Sequence, residues 1–148
     1  MLFTKKLSVG NRALDTEHEK LHGIIRAIGR SIVATDATTL PAAFEQLENC
    51  LCTYFAAEEG IAHAVGFDFT QHRMAHQALW EKFQHIKTRL SAPNHTLSER
   101  EKKLLVDLMN NYLVQHITID CRPLKIVLDT HYYDFTPDNP AWCECECA

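Results

Sequence analysis

Chain breakers, long apolar runs and excess positive charge are all scarce here. Five glycines and five prolines among 148 residues leave little material for turns. Few breakers combined with long apolar periodicity predict a mostly helical fold. No apolar run approaches the roughly 20 residues that a membrane span requires, so no membrane partner is expected. A net charge of −4 gives no basic surplus to hold a nucleic-acid backbone, so no nucleic-acid partner is expected either. The first six residues lack the apolar core of a secretory signal, and the expected location is the cytoplasm. In that compartment the six cysteines read as thiols rather than as a disulfide framework.

Apolar residues make up 46% of the chain and charged residues 23%, which excludes wholesale disorder and suits one domain. The expected domain runs over residues 1–133. An irregular tail follows over 134–148, with Pro137, Pro140, Cys143, Cys145 and Cys147. The alternating tail cysteines could collect a soft ion if extended; free thiols or intermolecular disulfides are the simpler readings.

Four amphipathic stretches stand out. In the first, Leu14, His18, Leu21, Ile25, Ile28 and Ile32 recur every three or four residues behind a candidate N-cap at Asp15. The second carries Leu40, Phe44, Leu47, Leu51, Tyr54, Glu58 and Ile61 on one face and stops at Gly66. The third, capped by Asp68 with Gln71, shows Phe69, His72, His76, Leu79, Phe83, Ile86 and Leu90. A capping box of Thr96 and Glu99 opens the fourth, whose face reads Leu105, Leu108 or Met109, Tyr112, His116, then Ile119 or Asp120. Pro123 should end or kink it, with Leu124–Leu128 as a last apolar turn. Short connections between four helices predict an all-α, up-down-up-down antiparallel four-helix bundle.

Each inner face carries ligand-type residues at one level: His18, Tyr54 with Glu58, His72 with His76, and His116 with Asp120. Burying seven such groups costs several kcal/mol unless they satisfy one another or bind a metal. The last three pairs are each four residues apart, so one helical turn stacks both side chains on one face. Imidazoles with carboxylates suit iron, zinc or manganese, and carboxylates can bridge two ions.

In this pattern the chain resembles the hemerythrin family from about Phe3 to Leu124. The carrying segments are Leu14-Asp15-Thr16-Glu17-His18, Tyr54-Phe55-Ala56-Ala57-Glu58-Glu59, His72-Arg73-Met74-Ala75-His76 and Tyr112-Leu113-Val114-Gln115-His116-Ile117. The resemblance implies a hemerythrin-like bundle with a non-haem diiron centre and an oxo or hydroxo bridge. His72, His76 and His116 would bind one iron, and Glu58 and Asp120 would bridge the pair. His18 and the residue at position 54 would serve the second iron, whose open position binds O2. The implied role is binding or sensing of O2 or NO, with a protein partner in the sensing case.

Three departures are visible. Tyr54 stands where the family has histidine; it either fills space as a phenol or, as we expect, binds ferric iron as phenolate. Asp120 follows His116 by four residues, one fewer than usual, and Cys121 occupies the usual aspartate position. Glu58 to His72 is one residue short. The His-x-x-x-Asp spacing is similar to the divergent branch associated with iron-centre repair and nitrosative stress, which gives a redox or detoxification alternative.

His18-Glu19-Lys20-Leu21-His22 is also a literal His-Glu-x-x-His, the helix motif of zinc peptidases, although no downstream segment offers a third ligand. His22 falls about 40° off the core stripe by helical pitch. It reads as a flank residue, a second-layer donor or a replacement ligand. His63 reads as a helix-end residue or a group near the open side of the site.

Overall fold

The computed structural model describes residues 7–34, 38–91 and 97–130, and over them the chain is all-helical. The elements are α1 (Arg12–Val33), α2 (Leu40–Ala64), α3 (Thr70–Ser91), α4 (Glu99–Gln115), a π-helical turn (His116–Asp120) and α5 (Arg122–Thr130). The expected tail from residue 134, its three cysteines, His95, Thr96 and His131 lie outside the described residues.

Helix boundaries follow local capping chemistry, at positions partly different from those the sequence predicts. Asn11, not Asp15, caps α1, with its side-chain oxygen accepting from Leu14 N at 3.1 Å. Asp15 sits inside the first turn. Its carboxylate accepts from Ser8 Oγ at 2.6 Å and Val9 N at 2.8 Å, tying the incoming segment to the helix. Pro41 enters the first turn of α2, where a missing N–H is harmless. That helix closes in a Schellman motif: Gly66 has φ +68°, Phe67 N donates to Ala62 O at 2.8 Å, and Gly66 N to His63 O at 3.1 Å. Asp68 accepts from Thr70 N at the start of α3. The capping box of α4 is Ser98 with Glu101, two residues beyond the predicted Thr96 and Glu99.

α1 packs on α2 and α4, and α3 packs on the same two helices. Glu48 of α2 meets Gln84 and Lys87 of α3, while Glu59 meets Arg73, so residues far apart in sequence pair in reverse order. At Gly29 a Cβ would lie 3.2 Å from Val106 Cγ1, which marks a close approach of α1 to α4.

The apolar stripes of α1, α2 and α3 are buried largely as predicted, with His22 added to the first. Phe44, Leu47, Leu51, Ile25 and Ile28 are almost fully enclosed, and each such side chain stabilises the fold by about 1.5–3 kcal/mol. The face of α4 is a correction. Val106, Met109 and Leu113 are buried, whereas Leu105 and Tyr112 are half-buried and Leu108 is 39% exposed. Leucines at 104, 105 and 108 make two overlapping stripes possible, and burial selects the one continuing into His116 and Ile117.

After Gln115 the hydrogen-bond register changes. Cys121 N donates to His116 O at 3.0 Å, an i to i+5 bond that widens the turn by one residue. Ile119 is 60% exposed, and Cys121, five residues beyond His116, is the next fully buried position. Pro123 does not end the helical path. It falls in the first turn of α5, whose Leu124 and Leu128 continue the inner stripe.

Candidate metal centre

Helices α2 and α3 and the π-helical turn bring four side chains to one point inside the bundle. Ligand atoms of Glu58, His72, His76 and His116 all lie within 4.8 Å of one another, and all four residues are buried. Glu58 is at the centre. Its Oε2 lies 2.8 Å from His76 Nε2, 3.1 Å from His72 Nε2 and 3.8 Å from His116 Nε2. Two aromatic rings fix the imidazoles. Phe55 stacks on His76 at 3.9 Å between centroids, and Phe69 stacks on His72 at 4.6 Å. Phe55 belongs to the Tyr54–Glu59 segment that carries the family resemblance, but nothing in the sequence showed that its ring would stack on His76.

Tyr54 and Cys121 complete the inner wall. The Tyr54 hydroxyl is 3.1 Å from His116 Nε2 and 3.4 Å from Cys121 Sγ. Cys121 Sγ is 3.5 Å from His116 Nε2 and 3.9 Å from His72 Nε2. His18 is fully buried, with its ring edge-on to Tyr54 at 4.8 Å, outside the four-residue cluster.

Asp120, expected as the second bridging carboxylate, is turned outward by the widened turn. Its Oδ2 lies 3.1 Å from His116 Nδ1, the nitrogen facing away from Glu58, and its side chain is 36% exposed. A carboxylate on Nδ1 holds the proton there and leaves Nε2 as the ligating atom. Asp120 therefore orients a candidate ligand. The remaining candidates lie apart. His63 is exposed, and His22 is buried beside His18 without joining the cluster. Among the described residues no third His, Cys, Asp or Glu converges on His18 and His22, so the zinc-peptidase reading has no site to rest on.

The electrostatics follow from burial working against close partners. Burial alone would raise the Glu58 pKa, but contacts with His116, His72 and His76 outweigh it and hold the carboxyl well below its usual range. Burial lowers His76 to about 4 despite Glu58, and lowers His18 to about 4 as well. His116 goes the other way: burial opposes its charge, yet Asp120, Cys121 and Glu58 raise it well above 6.5. Burial and the neighbouring Cys121 and Glu58 push the Tyr54 phenol well above 10. Burial and Glu58 raise the Cys121 thiol to about 11 against the pull of His116.

Mutual hydrogen bonding does not close this network. Glu58 Oε1 and His72 Nδ1 are buried without a hydrogen-bond partner among the described residues, and three imidazole nitrogens crowd a single carboxylate oxygen. Unsatisfied buried polar groups are costly. Three imidazoles and a carboxylate converging through their ligating atoms form a donor set that fits a transition-metal ion.

Comparison with known families matches residues 9–120 to the hemerythrin HHE cation binding domain. No curated protein and no solved structure matches the chain. The matched span contains the four convergent side chains, and the chain belongs to the hemerythrin family, with the candidate metal centre of Glu58, His72, His76 and His116 inside its cation-binding domain.

Proposed function

We propose that this protein is a non-haem iron protein that binds or senses O2 or NO. One observation carries the reading: the enclosed convergence of Glu58, His72, His76 and His116. These four would hold the first iron. An up-down-up-down arrangement of α1 to α4 fits the reverse-order pairing of α2 with α3 and gives every long helix an inner face on the site.

A second ion finds support in the Glu58 oxygen that the three imidazoles leave unused. Oε1 is the carboxylate oxygen without a partner, and His18 is close enough for the Glu58 charge to act on its ring. Tyr54, whose ring is edge-on to His18 and whose hydroxyl is 3.1 Å from His116 Nε2, would join as phenolate once a ferric ion draws off its proton. Glu58 would then be the carboxylate shared between the two ions, because Asp120 is engaged on His116 Nδ1. Iron with an open position supplies reversible binding or one-electron chemistry for a diatomic ligand. The protein contributes anchoring by three imidazoles, orientation by Phe55, Phe69 and Asp120, and exclusion of water by the burial of the whole cluster.

The redox or detoxification reading is favoured by Tyr54 itself, since a phenolate stabilises ferric over ferrous iron. Anaerobic titration of the reduced, iron-loaded protein with NO and then with O2, followed by visible and electron paramagnetic resonance spectra, tests both. Spectral change on NO with recovery on purging supports binding or sensing. Irreversible oxidation by O2 with consumption of NO supports redox chemistry, and no change with either gas contradicts the proposal.

A further inference from the structure

Cys121 is enclosed at 0% exposure, yet its surroundings are not those of a thiol packed as a small apolar group. Its sulfur faces the Tyr54 hydroxyl, His116 Nε2 and His72 Nε2, and the two imidazole nitrogens are the same atoms that face Glu58. The π-helical turn is what delivers it. In an unbroken α-helix, position 120 would sit one turn above His116; the i to i+5 bond moves position 121 there and swings Asp120 outward.

We propose that Cys121 supplies a thiolate donor to the metal ion held by Glu58, His72, His76 and His116. The inference rests on the metal-centre reading above and deepens it. Donor spacing supports it. Nitrogen and sulfur ligands bond a borderline-soft ion at about 2.1 and 2.3 Å, so a pair on one ion is separated by about 3.1 Å at right angles and about 4.4 Å when opposed. The observed separations of 3.5 and 3.9 Å from Cys121 Sγ fall inside that range. The convergence of Glu58 Oε2 with His72, His76 and His116, all buried, is independent evidence that this point in the core is built for a cation. On binding, the S–H bond breaks as the metal–sulfur bond forms, the proton passes to solvent, and no electrons are transferred. The resulting set of three nitrogens, one oxygen and one sulfur makes the site softer than one of imidazoles and carboxylates alone.

The test is one equivalent of Co(II) added to the full-length, metal-free protein, with bound cobalt and the near-ultraviolet spectrum measured together. The wild type should bind one cobalt per chain and show sulfur-to-cobalt charge transfer. Cys121→Ser should keep the cobalt and lose that band. Cobalt bound without the band in the wild type, or an equal band in Cys121→Ser, overturns the thiolate assignment while leaving the metal centre standing. Failure of both proteins to bind cobalt overturns the metal centre as well. If Cys121→Ser does not fold, cobalt-edge X-ray absorption decides on protein with Cys143, Cys145 and Cys147 replaced by serine. A sulfur neighbour in the first shell is expected, and nitrogen and oxygen alone contradict it.

Discussion

Acidifying the metal-free protein should destabilise it through two imidazoles kept neutral by burial. His18 and His76 both titrate at about 4 in the folded state, against 6.5 for an unperturbed histidine. The unfolded chain therefore binds more protons than the folded one between these values. Their contribution is present above pH 6.5 and is lost as pH falls toward 4. A shift of this size corresponds to about 3 kcal/mol for each ring at about 1.4 kcal/mol per pH unit. Glu58 adds loss in the same direction at lower pH, because its folded pKa is depressed. His116 acts oppositely, since its raised pKa stabilises below 6.5 and that contribution fades as pH rises through the folded value. Across pH 6.5 to 4.5 the two neutral histidines dominate. Urea unfolding of chelator-treated protein, followed by circular dichroism, should show a lower midpoint at pH 4.5 than at 6.5. His76→Gln should flatten that slope by about half. A midpoint that holds or rises on acidification would refute the reasoning, because these rings would then be charged or solvated.

Glu58→Ala should abolish metal retention. In metal-free protein it removes the one acid facing three imidazoles, at a cost of about 3–5 kcal/mol in unfolding free energy. Asp120→Asn should leave the fold and the metal count unchanged while weakening affinity about 10- to 100-fold in a competitive chelator titration, because the carboxylate on His116 Nδ1 only orients the ligand. Tyr54→Phe should eliminate a visible charge-transfer band of the ferric protein that is absent in the ferrous form; an unchanged ferric spectrum removes the phenolate assignment. Leu47→Ala, in the core away from the site, should cost about 2–5 kcal/mol without altering metal content.

The helical fold and the four converging side chains were legible because periodicity reports which face is buried. Phe69, His72, His76 and Leu79 form a single stripe that no neighbouring apolar residue confuses. On α4 the same logic placed Met109 and His116 but misplaced Leu105 and Tyr112, because Leu104, Leu105 and Leu108 compete with Val106 and Met109 for the inner face. The cap of α4 shifted for a related reason: Thr96-x-x-Glu99 and Ser98-x-x-Glu101 overlap, and sequence alone does not rank them. The widened turn at His116 was the deeper obstacle. A count based on 3.6 residues per turn stacks Asp120 on His116 and hides Cys121, whereas the i to i+5 bond reverses the two. Family spacing pointed to position 121 as the unusual one, but only backbone geometry shows which side chain enters the core.

Elemental analysis of protein produced with ample iron, paired with melting before and after chelation, asks whether the buried imidazoles and Glu58 hold a metal ion. At least one iron per chain, and a melting temperature that falls when the iron is stripped, is the predicted result. Protein that emerges metal-free, and whose melting temperature a chelator leaves unmoved, would mean that the imidazoles around Glu58 serve only one another.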